Sequence, residues 1–396
     1  MWNRRAQPGL CAFMTPKRVQ MMVLVIGLSL VSCDKGGQPE TVGSVPAPVP
    51  QGSATPSPQP GEPSPQQRVT TQDVLVKGLR APWEVAFLPD GSALVTERDT
   101  RKIKKITKGP GHDAPYAVSD VGLIEEADPG GEGGLLGLAV SPNYAQDQTL
   151  FLYYTAANDN RIARWKIGAK PEPIVTGIPI SGVHNGGRIA FGPDGFLYAT
   201  TGDASTRGLA QDLNSLGGKI LRMTTDGKPA PGNPFNTLVW TLGHRNVQGI
   251  AWDGWGRLWA TEFGSTHLDE INLIEPGKNY GWPQFEGAGN DPKFKDPVFA
   301  FPVGESSCSG MAISNNNVLV AACLRGQRLI LVPIGKDGPV AQPIPQLVRE
   351  YGRLRGVVNA PDHSLWFITN NHDGRCTSNC DIHADDDRIV RITVGP

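Results

Sequence analysis

Phe191-Gly192-Pro193-Asp194-Gly195-Phe196-Leu197-Tyr198 is the stretch that decides the fold. An apolar residue closes one strand, Pro-Asp-Gly turns the chain, and an apolar run opens the next strand. Kindred units begin at Phe87-Leu88-Pro89-Asp90-Gly91, Ser141-Pro142-Asn143, Trp252-Asp253-Gly254, Asn315-Asn316-Asn317 and Ala360-Pro361-Asp362. A second pattern follows each unit: a charged residue, then aliphatic residues at alternate positions, as in Lys219-Ile220-Leu221-Arg222-Met223 and Arg328-Leu329-Ile330-Leu331-Val332. The first aliphatics of its six copies are residues 103, 162, 220, 271, 329 and 389, spaced by 51 to 60 residues. Alternation reads as half-buried strand, and a repeat of this length reads as propeller blades. Six copies of both patterns in step predict an all-β chain, a six-bladed β-propeller of four-stranded antiparallel blades. The alternatives are an open β-solenoid or an unrelated two-domain β protein.

The 396 residues carry a formal net charge of -1, which leaves no electrostatic footprint for nucleic acid. Arg4, Arg5, Lys17 and Arg18 precede an apolar run from Met21 to Val31, too short for an ordinary spanning helix and suited to a signal peptide. It ends Leu30-Val31-Ser32-Cys33, which resembles a bacterial lipobox, so residues 1–33 are expected to be a lipoprotein signal with Cys33 lipidated. A plain secretory signal, with Cys33 incidental, is the alternative. Residues 34–68 hold nine prolines with Gly, Ser and Gln and no aromatic residue, a composition that cannot bury enough surface to fold and predicts a disordered linker. The folded domain is then 69–396. The chain is expected to be exported and lipid-anchored on the periplasmic or outer side of a bacterial membrane, its only membrane contact the N-terminal anchor.

The repeat turns position into geometry. Residues before each first strand lie on one face of the propeller, and each antiparallel second strand returns to that face. His184, in His184-Asn185-Gly186-Gly187-Arg188, and the pair Arg245-Asn246 precede the first strands of adjacent blades, and Arg353 and Arg355 stand at the same place in the sixth. Asp203, Glu262 with Phe263-Gly264, and Arg325 fall at or just past second-strand ends. One mouth should therefore gather a base, an acid and several arginines. Guanidinium groups crowded together need an anion between them, and their planar forks suit carboxylates and phosphates. A carboxylate beside His184 would fix its tautomer and leave the other ring nitrogen as a base. The plainer readings are a surface ion pair for each arginine and a loop-satisfying contact for His184. No P-loop, Rossmann glycine fingerprint, Gly-x-Ser-x-Gly or Cys-x-x-Cys-His is present, which disfavours nucleotide and haem chemistry.

With these residues in view the chain resembles the soluble quinoprotein glucose/sorbosone dehydrogenases, also called aldose sugar dehydrogenases. The resemblance runs through Gly131-Glu132-Gly133-Gly134-Leu135-Leu136-Gly137, His184 to Asp203, Gly218-Lys219-Ile220-Leu221-Arg222, Gly243-His244-Arg245-Asn246-Val247-Gln248-Gly249, Asp269-Glu270-Ile271-Asn272 and Asn279-Tyr280-Gly281-Trp282-Pro283. It implies a propeller binding pyrroloquinoline quinone (PQQ), which has three carboxylates, together with calcium. His184 would be the catalytic base and Asp203 its orienting acid. Arg245, Asn246, Arg325, Arg353 and Arg355 would bind the cofactor, Arg325 standing where the glucose enzymes carry a lysine. Calcium would sit on the backbone carbonyls of Gly264 and Ser265, and a second, structural calcium on Glu270 and Tyr280. Phe263 departs from the polar residue of many members, and Ser265 from the usual proline. The substrate implied is an aldose sugar or similar alcohol, with electrons passing to an external acceptor. A calcium-dependent lactonase on a similar scaffold and a non-catalytic propeller binding module are the rival readings.

Four cysteines remain after the signal and lipobox: Cys308, Cys323, Cys376 and Cys380. An even number in an exported domain predicts disulfides. Cys308 precedes a first strand and Cys323 ends its partner, so they should pair, and Cys376–Cys380 is the second expected pair. Zinc on His372, Cys376, Cys380 and His383 is the alternative. Asp385-Asp386-Asp387 is expected to be a solvated turn.

Overall fold

The computed structural model describes residues 61–111, 114–376 and 382–396. The expected signal and lipobox, the linker as far as residue 60, and Cys380 lie outside the described residues. Six antiparallel sheets form six blades, as the repeat predicts. Blade 1 holds Pro82–Phe87, Ala93–Glu97, Lys102–Lys108 and Tyr116–Leu123, in that order from the axis outward. Blades 2 to 4 begin with Leu135–Val140, Ile189–Phe191 and Val247–Trp252 and repeat this order. Blade 5 begins with Cys308–Ile313; its outer edge is shared by Ile344–Gln346 and the two-residue strand Gly338–Pro339. Blade 6 holds Leu354–Asn359, Leu365–Thr369 and Ile389–Gly395, and its outermost strand is Arg68–Val76, which pairs Arg68 with Gly395. One blade is thus shared by distant parts of the chain, and this closes the ring. Among the described residues no helix is long and apolar enough to cross a membrane.

The turns form for a local reason. Oδ1 of Asp90, Asp194, Asp253 and Asp362 each accepts a hydrogen bond from the backbone N–H two residues on. An aspartate in this role mimics a backbone turn and hands the chain to the second strand. The core lies between blades: Leu88, Leu94 and Ile103 of blade 1 pack on Leu138, Leu152 and Tyr154 of blade 2, and the other seams repeat the pattern. Inner strands crowd the axis. A Cβ on Gly137 would sit 2.3 Å from the Gly187 carbonyl, and one on Gly249 would sit 2.4 Å from the Ser309 carbonyl, so only glycine fits there. On the axis Arg188 pairs with buried Glu84 and stacks on Trp83, 4.1 Å from the ring centre.

Two expectations about the C-terminal region meet the structure differently. Cys308 and Cys323 are joined by a disulfide across the first two strands of blade 5. The acidic run is not a solvated turn. Asp386 and Asp387 are 2% and 0% exposed. Asp387 accepts from the backbone of Ala81 and Asn371, and Asp386 pairs with Arg388 at 2.7 Å. The Asp387 carboxylate staples the last loop to the entrance of blade 1, a contact across some 300 residues that local composition does not reveal.

Candidate active site

One cavity of about 360 Å³ opens on the face predicted to carry the site. Its walls include His184, Arg245, Asn246, Gly264, Ser265, Arg325, Arg353 and Arg355, so eight of the eleven expected site residues converge. Asp203 stands behind His184, fully buried. Glu270 and Tyr280 lie away from the cavity wall.

His184 is held from both sides. Its Nδ1 is 2.7 Å from Asp203 Oδ1, and its Nε2 is 2.7 Å from Arg245 Nη2. A guanidinium can only donate, so Nε2 must be the acceptor and Nδ1 must carry the proton toward Asp203. This is a neutral imidazole with its basic nitrogen on the cavity side. Asp203 is itself fixed: Oδ2 accepts from the Trp282 indole at 2.8 Å and Oδ1 from Ser205 N at 2.9 Å. Burial pushes the Asp203 carboxyl up, but the hydrogen bonds from His184 and Trp282 outweigh it and hold the group below the usual carboxylate value. The His184 backbone N–H donates to Glu132 at 2.7 Å, and Glu132 pairs with Arg375.

The arginines are under-satisfied. Arg353 bonds Asp373 at 2.7 Å, and Arg355 reaches the same carboxylate only at 3.9 Å. Burial lowers the Arg355 pKa to about 9; Asp373 pulls it back up, while Arg98 and Arg353 push it down. The Nε atoms of Arg245 and Arg355 and the Asn246 amide nitrogen are buried with no hydrogen-bond partner among the described residues. Arg325 makes no ion pair among the described residues. Buried donors without acceptors are costly. A planar ligand bearing several carboxylates would set acceptors against the guanidinium groups that line this wall, so these residues fit PQQ.

The cation expectations also have a donor set. Among the described residues no three His, Cys, Asp or Glu side chains are clustered to hold a metal, so a bound cation would depend on backbone oxygens. Gly264 and Ser265 line the cavity, so their backbone is placed where it could supply such oxygens. Glu270 faces Glu262 across paired strands, and burial and then that neighbour raise its pKa to about 8. Beside it the Asn272 amide oxygen is buried and unpartnered. Oxygen donors short of positive charge fit a hard cation. Tyr280 spends its hydroxyl on the Leu273 carbonyl and the Glu275 N–H, leaving only its backbone oxygen for such a role.

Gln248, Glu132, Asp373 and Arg375 also belong to the site and were not among the residues expected there. Gln248 bonds Asn246 and Arg355, each at 3.2 Å, and so ties two blades together. Its position inside Arg245-Asn246-Val247-Gln248 was the available signal. Asp373 and Arg375 lie in a loop with no repeat spacing, and nothing local marks them.

Comparison with known proteins identifies the family. A glucose/sorbosone dehydrogenase family profile matches residues 79–378. Aldose sugar dehydrogenase YliI of Escherichia coli (strain K12) is 30% identical over 343 residues, covering 76% of this chain and 90% of the relative. Quinoprotein glucose dehydrogenase B of Acinetobacter calcoaceticus is 31% identical over 63% of this chain and 59% of its own length. The PQQ-bound aldose sugar dehydrogenase of Streptomyces coelicolor has a similar structure, with TM-score 0.78 and 45% identity, over 84% of this chain and 99% of that one. With its propeller, its His184–Asp203 pair and its arginine-lined mouth, the chain belongs to the glucose/sorbosone dehydrogenase family of oxidoreductases.

Proposed function

We propose that this protein is a PQQ- and calcium-dependent dehydrogenase that oxidises an aldose sugar or similar alcohol, an aldose going to its lactone. The observation that carries this reading is the gathering of Arg245, Arg325, Arg353 and Arg355 on one cavity wall, beside a histidine whose Nδ1–H is oriented by Asp203 and whose Nε2 accepts from Arg245. When bound, PQQ supplies the quinone that takes the substrate hydride, and calcium polarises it as a Lewis acid. Arg245, Asn246, Arg325, Arg353 and Arg355 hold the cofactor carboxylates, and Gly264 and Ser265 hold calcium. Glu270 and the Tyr280 backbone oxygen hold the structural calcium. His184 Nε2 takes the proton from the substrate hydroxyl, and Asp203 keeps Nδ1 protonated and stabilises the imidazolium that forms. A cofactor carboxylate would compete with Nε2 for the Arg245 guanidinium that now donates to it, and Nε2 would then be open to the substrate hydroxyl.

Phe263, Val303 and Leu324 make part of the cavity wall apolar. This favours substrates that present an apolar face beside the reacting carbinol. Without a haem motif, electrons leave for a separate acceptor. Leu30-Val31-Ser32-Cys33 supports lipidation of Cys33 and display outside the cytoplasm. The arginines argue against the lactonase reading, since such hydrolysis needs carboxylates and amides around the cation.

Apo-protein given PQQ and calcium is expected to reduce an artificial dye with sugars. His184→Ala should keep PQQ and lose about 10²- to 10⁴-fold in turnover, the usual contribution of a positioned base. No dye reduction across a broad sugar and alcohol panel would defeat the dehydrogenase. An unchanged ligand-binding role in His184→Ala, with no turnover in either protein, would favour a binding module.

A further inference from the structure

The loop after Leu258–Glu262 in blade 4 carries the two backbone oxygens assigned to calcium, and every amide in it is spoken for. Gly264 N donates to Asp269 Oδ1 at 2.8 Å. The next four amides, of Ser265, Thr266, His267 and Leu268, all donate to one oxygen, Glu286 Oε1, at 2.7, 3.0, 2.8 and 3.0 Å. Successive N–H groups converging on one point form an anion-binding nest. Here the anion is the chain's own carboxylate, brought from 18 to 21 residues away.

The consequence follows from peptide geometry. In a trans peptide the N–H and the preceding C=O point in opposite directions. The Ser265 N–H belongs to the same peptide plane as the Gly264 carbonyl, and the Thr266 N–H to the same plane as the Ser265 carbonyl. Glu286 is not part of the cavity wall, whereas Gly264 and Ser265 are. Drawing these two amides toward Glu286 therefore turns the two carbonyls away from it. Asp269 holds the loop's other end, its Oδ2 accepting from Ser306 Oγ and Ser307 N, each at 2.6 Å. Gly264 is required by the same arrangement: a Cβ there would meet the Leu268 carbonyl at 1.7 Å and Glu286 Oε1 at 2.7 Å.

We propose that Glu286 is a positioning residue for the cofactor-site cation: its carboxylate fills the nest behind the loop, pre-aims the Gly264 and Ser265 carbonyls, and adds a nearby negative charge. The proposal rests on the calcium reading of those carbonyls. A preorganised donor pair binds a cation without first having to order the loop, and loss of the nearby half-buried charge weakens attraction directly.

The test titrates calcium into metal-stripped full-length protein with saturating PQQ, following the cofactor absorption band, for wild type and Glu286→Gln. Amide exchange at residues 265–268 is measured in parallel without calcium. Wild type should show a saturable calcium-dependent spectral change. Glu286→Gln should need roughly tenfold or more calcium for the same change, and its 265–268 amides should exchange faster. An equal calcium midpoint in both proteins would overturn the positioning role alone. No calcium response in wild type would overturn the calcium reading, and the proposal with it. Should the variant fold poorly, wild type decides: amides 265–268 must be protected before calcium is added, and rapid exchange there would refute preorganisation.

Discussion

His184 would mean little as an isolated histidine; its surroundings give it a chemical state. A cation-only donor on Nε2 and an ionised carboxylate on Nδ1 leave one tautomer. Asp203→Asn keeps the shape but can present its amide group to Nδ1 and favour the wrong tautomer. A fall in kcat of about 10²-fold or more is expected, with KM changing far less. The same substitution has a pH signature. The folded pKa of Asp203 is depressed, so its charge contributes stability above the unfolded value of about 3.9, and that contribution is lost as pH falls through the folded value. The Tm gap between wild type and Asp203→Asn should be full at pH 6 and narrow below about pH 4. A gap independent of pH would show that Asp203 is not held ionised. The placing of His184, Arg245, Arg353 and Arg355 at one mouth was legible because repeat spacing put them at the starts of first strands, and that of Arg325 because it follows a second-strand end. Gln248, Asp373, Arg375 and Glu286 were not, because their partners come from other blades or from an irregular loop.

At the scale of elements, hairpin turns and alternating strands could be read directly, since Asp-Gly turns and period-two burial are local properties. The disulfide was legible for the same reason: Cys308 and Cys323 flank one hairpin and stand in register. Asp385-Asp386-Asp387 was misread because its burial depends on Leu79 to Ala81 at the far end of the chain. The outer strand Arg68–Val76 was likewise hidden at the edge of the proline-rich stretch; only pairing with Ile389–Gly395 reveals its place. The Cys308–Cys323 bond closes a loop with a sequence separation of 15. Constraining a loop of that size stabilises by about 3 kcal/mol in the chain-entropy picture. A Cys308→Ala/Cys323→Ala double variant should lose about that much in denaturant unfolding. Reductant should lower wild-type stability by clearly more than it lowers that of the variant. Equal stability of the two proteins under oxidising conditions would count against a structural role for the bond.

Across the whole molecule, the cavity exists only because the ring is closed. Glu132 enters from before blade 2, His184 from before blade 3, and Arg245 and Asn246 from before blade 4. Gly264 and Ser265 come from blade 4 itself, Arg325 from blade 5, and Arg353 and Arg355 from blade 6. No short segment holds the site, which is why spacing around the full repeat was needed to find it. The most direct measurement is a calorimetric titration of metal-stripped, full-length protein with PQQ in the presence of calcium, run beside Arg355→Gln. One PQQ per chain is expected, with affinity falling about 10- to 100-fold in the variant, the worth of a hydrogen bond to a charged group. Absence of saturable PQQ binding in the wild type, or equal affinity in Arg355→Gln, would contradict the assignment of the arginine-lined mouth as the cofactor site.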